Sequence, residues 1–218
     1  MRINDTKRLI RIALLASISA AVVGCNSTPT KDVPVVAEAV PARMEIQESV
    51  GFTIVEAAPI DGAVRLDYDR AHDLLNQGDV EAGIALLETV AEAAPELSAP
   101  RIDLGIAYHR SGNFEAAEEQ LNQALAINSA HPVALNELGI VYRKTARFNE
   151  ARRSYEAALR VYPGFHFARR NLAVLCDLYL DDLNCALENY EAYVAMVSSD
   201  DEAVTWYRNV RFRAGQTE

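Results

Sequence analysis

LGIAYHRSGNFEAAEEQLNQA, residues Leu104–Ala124, is followed one period later by LGIVYRKTARFNEARRSYEAA, residues Leu138–Ala158. The spacing is 34 residues. It keeps Leu, Gly and Tyr in place at Leu104, Gly105 and Tyr108 and again at Leu138, Gly139 and Tyr142. Small and large apolar residues recur at intervals of three and four, interrupted once around Gly112 and once around Ala146. Each stretch therefore reads as two amphipathic helices joined by a tight turn. Gly112 accepts the positive φ that closes such a turn, and Ala146 at the same place predicts a differently built turn in the second copy. Gly105 with Ala117, and Gly139 with Ala151, let the paired helices approach closely. Leu104, Tyr108 and Leu121 fill the space beside them.

This pattern of L-G-x2-Y followed by Ala, an aromatic or Leu, Ala and Pro resembles the tetratricopeptide repeat. The resemblance implies an all-α fold, a right-handed superhelix of about four helical hairpins with a capping helix at its C-terminal end. Working outward, the repeat domain spans 61–213, with units at roughly 64–97, 98–131, 132–165 and 166–199. Unit one departs from the pattern where Asp67 and Arg70 replace large apolar residues, as terminal repeats commonly do. Unit four slips by one residue, since Ala186, Tyr190 and Tyr193 each fall one place late; the turn Leu180–Leu183 is expected to carry the extra residue. Asp200 or Asp201 caps a last helix over 200–213, with Trp206, Tyr207 and Val210 sealing the open face. Arg208, Arg211 and Arg213 are expected in solvent. Residues 214–218 read as a disordered tail.

The N-terminus reads as an export signal over 1–24. Arg2, Lys7, Arg8 and Arg11 precede the apolar run Ile12–Val23, which is short for a membrane span and suits a signal-peptide core. Its end, Val22-Val23-Gly24-Cys25, resembles a bacterial lipobox. That resemblance implies cleavage before Cys25 and lipidation there; Asn26 in the next place implies the outer membrane, facing the periplasm. An ordinary signal peptide and an uncleaved anchor are the alternatives. Residues 25–60 carry Ser27, Thr28, Pro29, Thr30, Pro34 and Pro41 without helical period, so they read as a flexible tether spanning on the order of 30 Å. Within it, the short apolar run Gly51–Val55 is open to two other readings, a strand or a segment lying against the first helix. Removing residues 1–24 leaves 17 basic and 30 acidic residues, and this acidity argues against nucleic acid as a partner.

Cys176 and Cys185 lie on the two helices of unit four. Antiparallel helices joined by a short turn bring such places together, so a disulfide is expected; two buried thiols remain the alternative, with Cys176 replacing the tyrosines at 108 and 142. His72, His109, His131 and His166 fall at unrelated places in the repeats and form no metal motif. Without a GxSxG, P-loop or HExxH pattern, neither a catalytic residue nor a cofactor is expected. Glu118, Glu119, Asp181 and Asp182 read as solvated.

In the tetratricopeptide family the first helix of each unit lines a concave groove. Carried over place by place, that groove is expected to hold Tyr68 and His72 from unit one and Ile102, Ile106, His109 and Arg110 from unit two. Unit three adds Asn136, Ile140, Arg143 and Lys144, and unit four Arg170 and Val174. An apolar floor beside cations, on an otherwise acidic chain, suits an extended peptide or envelope protein with acidic groups. The Lys and Asn arrangement of the chaperone-binding carboxylate clamp is not reproduced. The function expected is therefore a lipid-anchored adaptor in the Gram-negative envelope. By resemblance it serves pilus, outer-membrane, cell-wall or TonB-type machinery. A self-associating structural protein and an enzyme or its regulatory subunit are the alternatives.

Overall fold

The helix starts are written in the sequence. Asp61, Asp79, Asn113, Asp182 and Asp200 stand just before helices, and each side chain accepts a backbone N–H of the first turn. The computed structural model describes residues 43–47, 51–55 and 60–215. The signal peptide, Cys25, the remainder of the tether and residues 216–218 lie outside them.

The described helices pair as four antiparallel hairpins and a single closing helix. They are α1 (Gly62–Gln77) with α2 (Val80–Ala93), α3 (Ala99–Arg110) with α4 (Phe114–Ile127), α5 (Pro132–Lys144) with α6 (Phe148–Val161), α7 (His166–Leu178) with α8 (Leu183–Met196), and α9 (Asp201–Arg213). Each hairpin stacks on the next, giving an all-α helical-repeat solenoid. Ahead of it, β1 (Arg43–Gln47) and β2 (Gly51–Val55) pair antiparallel. The tether expected over 25–60 therefore contains a ribbon, and the apolar-polar alternation of Arg43–Gln47 is the strand signal missed in the sequence.

Close packing inside each hairpin has one recurring cause. A Cβ at Gly105 would sit 2.6 Å from Leu121, and one at Gly139 would sit 2.5 Å from Tyr155. The glycines thus make room for the large residue of the partner helix, more than for Ala117 and Ala151, which are themselves fully buried. In unit four Ala173 and Tyr190 take these places, both buried.

The turn at Ala146 corrects the sequence reading. Ala146 adopts φ 60°, the left-handed conformation that Gly78 and Gly112 adopt at φ 87° and 84°. Its backbone bonds are the same: Arg147 N–H to Tyr142 carbonyl, as Asn113 N–H to Tyr108 carbonyl. The stacked helices hold alanine in a conformation it resists. The extra residue of unit four lies where it was expected. There the closing bond runs from Asp182 N–H to the Cys176 carbonyl, and Asp181 takes φ 50°.

Cys176 and Cys185 are joined, with their Cα atoms 5.9 Å apart. Both sulfurs are therefore committed to each other, although Asp182 comes within 4.8 Å of them. At the C-terminal end Val210 is fully buried, with Trp206 and Tyr207 packed beside it. Arg213 is not simply solvated, since it donates to Asp177 at 2.6 Å. Nor are all the expected surface acids free: Arg147 binds Glu118 through both terminal nitrogens, at 2.6 and 3.0 Å, and Arg152 binds Asp182 at 2.9 Å. These pairs tie unit two to unit three and unit three to unit four.

Candidate partner-binding groove

The first helices α1, α3, α5, α7 and α9 follow one another along one side of the solenoid. Their direct contacts identify that side. Asp103 of α3 accepts hydrogen bonds from Tyr68 and, at 3.0 Å, from His72 Nε2 of α1. Asn171 of α7 donates to Asn136 Oδ1 of α5 at 2.9 Å. Asp103, Ile106 and Arg110 are three and then four residues apart, so they share one face of α3. Glu137, Ile140 and Lys144 do the same on α5, and Asn171, Val174 and Leu178 on α7.

Three parallel rows result. Half-buried Ile106, Ile140 and Val174 form an apolar stripe. On one side of it stand Arg110, Lys144 and Leu178, all exposed. On the other lie Asp103, Glu137 and Asn171, two carboxylates and an amide spaced by the repeat. Asp103 and Glu137 did not emerge from the sequence, though their 34-residue spacing on the face of Ile106 and Ile140 was a usable signal. Burial raises the pKa of both above the ordinary carboxylate range. Tyr68 and His72 oppose this for Asp103, and Asn136 and Arg110 oppose it for Glu137.

Several residues expected in the groove do not line it. Ile102 is only 4% exposed and packs in the core with Ala117, Leu121 and Leu138. Asn136 is 3% exposed, its carbonyl bound to Asn171 and its amide donating to Glu137 Oε1 at 3.1 Å. Adjacent first helices cross at these places and cover them. Arg170 lies 3.7 Å from both Asp200 and Glu202, with its guanidinium over the Trp206 ring, so it fastens α7 to α9. Arg143 is half-buried beside the Tyr155 hydroxyl and the Tyr179 ring. His109 is half-buried, and burial followed by the nearby Lys144, Arg110 and Arg143 lowers its pKa, so it stays neutral near pH 7. Arg110 and Lys144 remain as the cations presented to a partner.

Residues 74–136 and 132–165 match tetratricopeptide-repeat families. Residues 74–165 are thus tetratricopeptide repeats, a scaffold class that typically mediates protein–protein interaction and is typically not enzymatic. The chain's fold is similar to that of MamA from Desulfovibrio magneticus RS-1, with TM-score 0.64 at 18% identity over 72% of this chain and 89% of that one. It is similar also to the pilF protein of Pseudomonas aeruginosa, with TM-score 0.64 at 18% identity over 71% and 70%. The first tetratricopeptide domain of Spaghetti (RPAP3), solved bound to the HSP90 peptide SRMEEVD, gives TM-score 0.52 at 22% identity over 54% and 94%. Anaphase-promoting complex subunit 6 of Arabidopsis thaliana is 28% identical over 111 residues, which are 50% of this chain; the chain spans about 20% of that relative's length.

Proposed function

We propose that this protein is a lipid-anchored adaptor of the Gram-negative cell envelope, held at the outer membrane through Cys25 and facing the periplasm. Its groove takes an extended segment of an envelope protein that alternates apolar and acidic residues. The observation that carries the reading is the Ile106, Ile140 and Val174 stripe beside exposed Arg110 and Lys144, on a chain whose charge is otherwise strongly acidic. Apolar side chains of the partner lie on the stripe and carboxylates reach the cations, so burial supplies affinity and charge supplies register. The pilus, outer-membrane, cell-wall and TonB-type machines remain the candidate settings. Confinement at one membrane raises the effective concentration of both partners.

A photocrosslinker at Ile106 or Ile140 in cells is expected to capture one specific envelope protein. Arg110→Glu with Lys144→Glu is expected to abolish that capture and leave the melting temperature unchanged. Capture that survives the double reversal refutes the groove reading. Cys25→Ala is expected to release the protein from membranes, and undiminished membrane retention refutes the anchor.

A further inference from the structure

An open, mainly apolar cavity of about 210 Å3 lies between the first two turns of α1, the start of α3 and the residue that caps α5. Val64, Tyr68, Val90, Leu97, Pro100 and His131 line it, and Arg65 stands at its rim, paired with Asp69 at 3.5 Å. It is separate from the cation row of the groove. Pro100 and Arg110 lie at opposite ends of α3, about 15 Å apart along its axis.

His131 is the polar side chain within this wall. It is 7% exposed, and its Nδ1 accepts the Ala134 N–H at 3.4 Å. Burial pushes the imidazole down to about 4, so the ring is neutral near pH 7. A neutral ring that accepts at Nδ1 carries its proton on Nε2. Among the described residues nothing accepts that proton. With Nδ1 turned to the helix start, the ring meets the cavity through its other edge, where Nε2 lies. A buried donor without an acceptor costs free energy that a fitting ligand recovers.

Size and chemistry together narrow the occupant. An apolar cavity of about 150 Å3 holds a benzene ring, so this one takes a six-membered ring with one or two further heavy atoms. The apolar lining disfavours a charged group. The ring must also bring an acceptor for His131. Phenylalanine has none, tryptophan is a donor only, and tyrosine supplies one. Each of the nine tyrosines of this chain falls between Tyr68 and Tyr207, so the segments before and after the helical domain cannot furnish the ring.

We infer that this cavity is a docking site for a tyrosine side chain of another protein, with the His131 Nε2–H donating to the phenol oxygen. The ring lies among Val64, Leu97 and Pro100. The Tyr68 hydroxyl is held by Asp103, which fixes that wall before a ligand arrives. Neither Arg110, Lys144 nor Cys25 enters the site, so it stands or falls apart from the groove and the lipid.

Titration of the full chain tests it, with 4-methylphenol as the tyrosine side chain alone and toluene as its counterpart without the oxygen. 4-Methylphenol is expected to bind roughly fivefold to tenfold more tightly, read from chemical-shift changes of the Val64 and Leu97 methyl groups. N-acetyltyrosine methylamide, the same ring on a peptide backbone, is expected to bind at least as tightly as 4-methylphenol. His131→Phe introduces the residue that stands at this place one period later, Phe165, and is expected to remove the preference for the oxygen. Val64→Trp fills the cavity from α1 and leaves the cap of α5 in place, so it is expected to abolish binding of all three probes. Four results overturn the inference. No probe binds, as when the chain's own residues fill the cavity; the preference for the oxygen survives His131→Phe; 4-methylphenol binds and the tyrosine derivative does not, which makes this a site for free phenols; or the chain self-associates in a way that Val64→Trp abolishes, which assigns the cavity to a second copy.

Discussion

Arg110 and Lys144 close the first helices of units two and three and face solvent, whereas Leu178 stands at that place in unit four. One row away, Asp103 and Glu137 become Asn171. At the next place His109 and Arg143 become Asp177, which takes the Arg213 guanidinium of α9. Arg170, the cation unit four does have near the groove, is held by Asp200, Glu202 and the Trp206 ring. The middle units leave Arg110 and Lys144 to the groove. Unit four uses its own polar side chains to hold the closing helix.

The two ends of the array extend the contrast. Leu104, Leu138 and Leu172 are buried, and Arg70, one period before Leu104, is exposed on α1. The places of Gly105, Gly139 and Ala173, which admit a paired helix, correspond on α9 to exposed Arg208 once the one-residue slip is counted. A charge at each end stops the stack, as solenoid ends require. These faces suit solvent better than a second copy.

The same contrast appears in titration. Asp182 caps α8 and binds Arg152, and Asp200 caps α9 and binds Tyr193; backbone bonds at the caps come first in lowering both pKa values. Their stabilisation is present above the unfolded carboxylate range and is lost as pH falls through the depressed values. Asp103 and Glu137 run the other way. Burial raises their pKa values, so their ionisation opposes folding at neutral pH and that opposition fades as pH falls through the raised values. The caps of α8 and α9 are therefore expected to weaken only below the unfolded carboxylate range, about pH 4, after mild acid has already relieved Asp103 and Glu137.

The stack of unit three breaks most severely at Gly139. With a Cβ there 2.5 Å from Tyr155, Gly139→Val is expected to cost about 3 kcal/mol or more, read as a drop in the urea midpoint. A second test compares His131 with Phe165, one period later, which has no side-chain cap to give. Burial pushes the His131 imidazole down to about 4 from the ordinary 6.5, so the unfolded chain takes up a proton first. Stability is expected to fall by about 2–3 kcal/mol as pH drops from 6.5 to 4. His131→Asn, which keeps a capping oxygen, is expected to abolish that part of the pH dependence. Unit four is probed through its disulfide. Reduction, or Cys176→Ala with Cys185→Ala, is expected to cost about 2.5 kcal/mol from loop entropy, with faster hydrogen exchange in α7–α9 and little change in α3–α5. The smallest effect is a gain. Ala146→Gly relieves the left-handed alanine and is expected to add about 1 kcal/mol, seen as a higher melting temperature.

Much of this was legible in the chain because it depends on residues close in sequence. The glycine that admits Tyr155, the aspartates that cap helices and the residue inserted before Asp182 all act within one hairpin. Ile102 and Asn136 show where legibility stopped. They occupy the same repeat place as Tyr68 and Arg170, yet four different fates follow: core, buried amide ladder, a hydroxyl bound to Asp103, and a fastening to α9. The place is common, and the neighbouring unit decides its exposure.

The sequence by itself determined the period, the helical hairpins and the chain's acidity, since these need only local spacing and composition, and it left Cys176 and Cys185 open between a disulfide and two buried thiols. Tertiary structure alone decided which cations a partner meets, that Asp103 and Glu137 stand half-buried beside the apolar stripe, and that Ala146 turns as a glycine does. Those outcomes arise from contacts between units, where helices dozens of residues apart cover one side chain and leave its repeat counterpart in solvent.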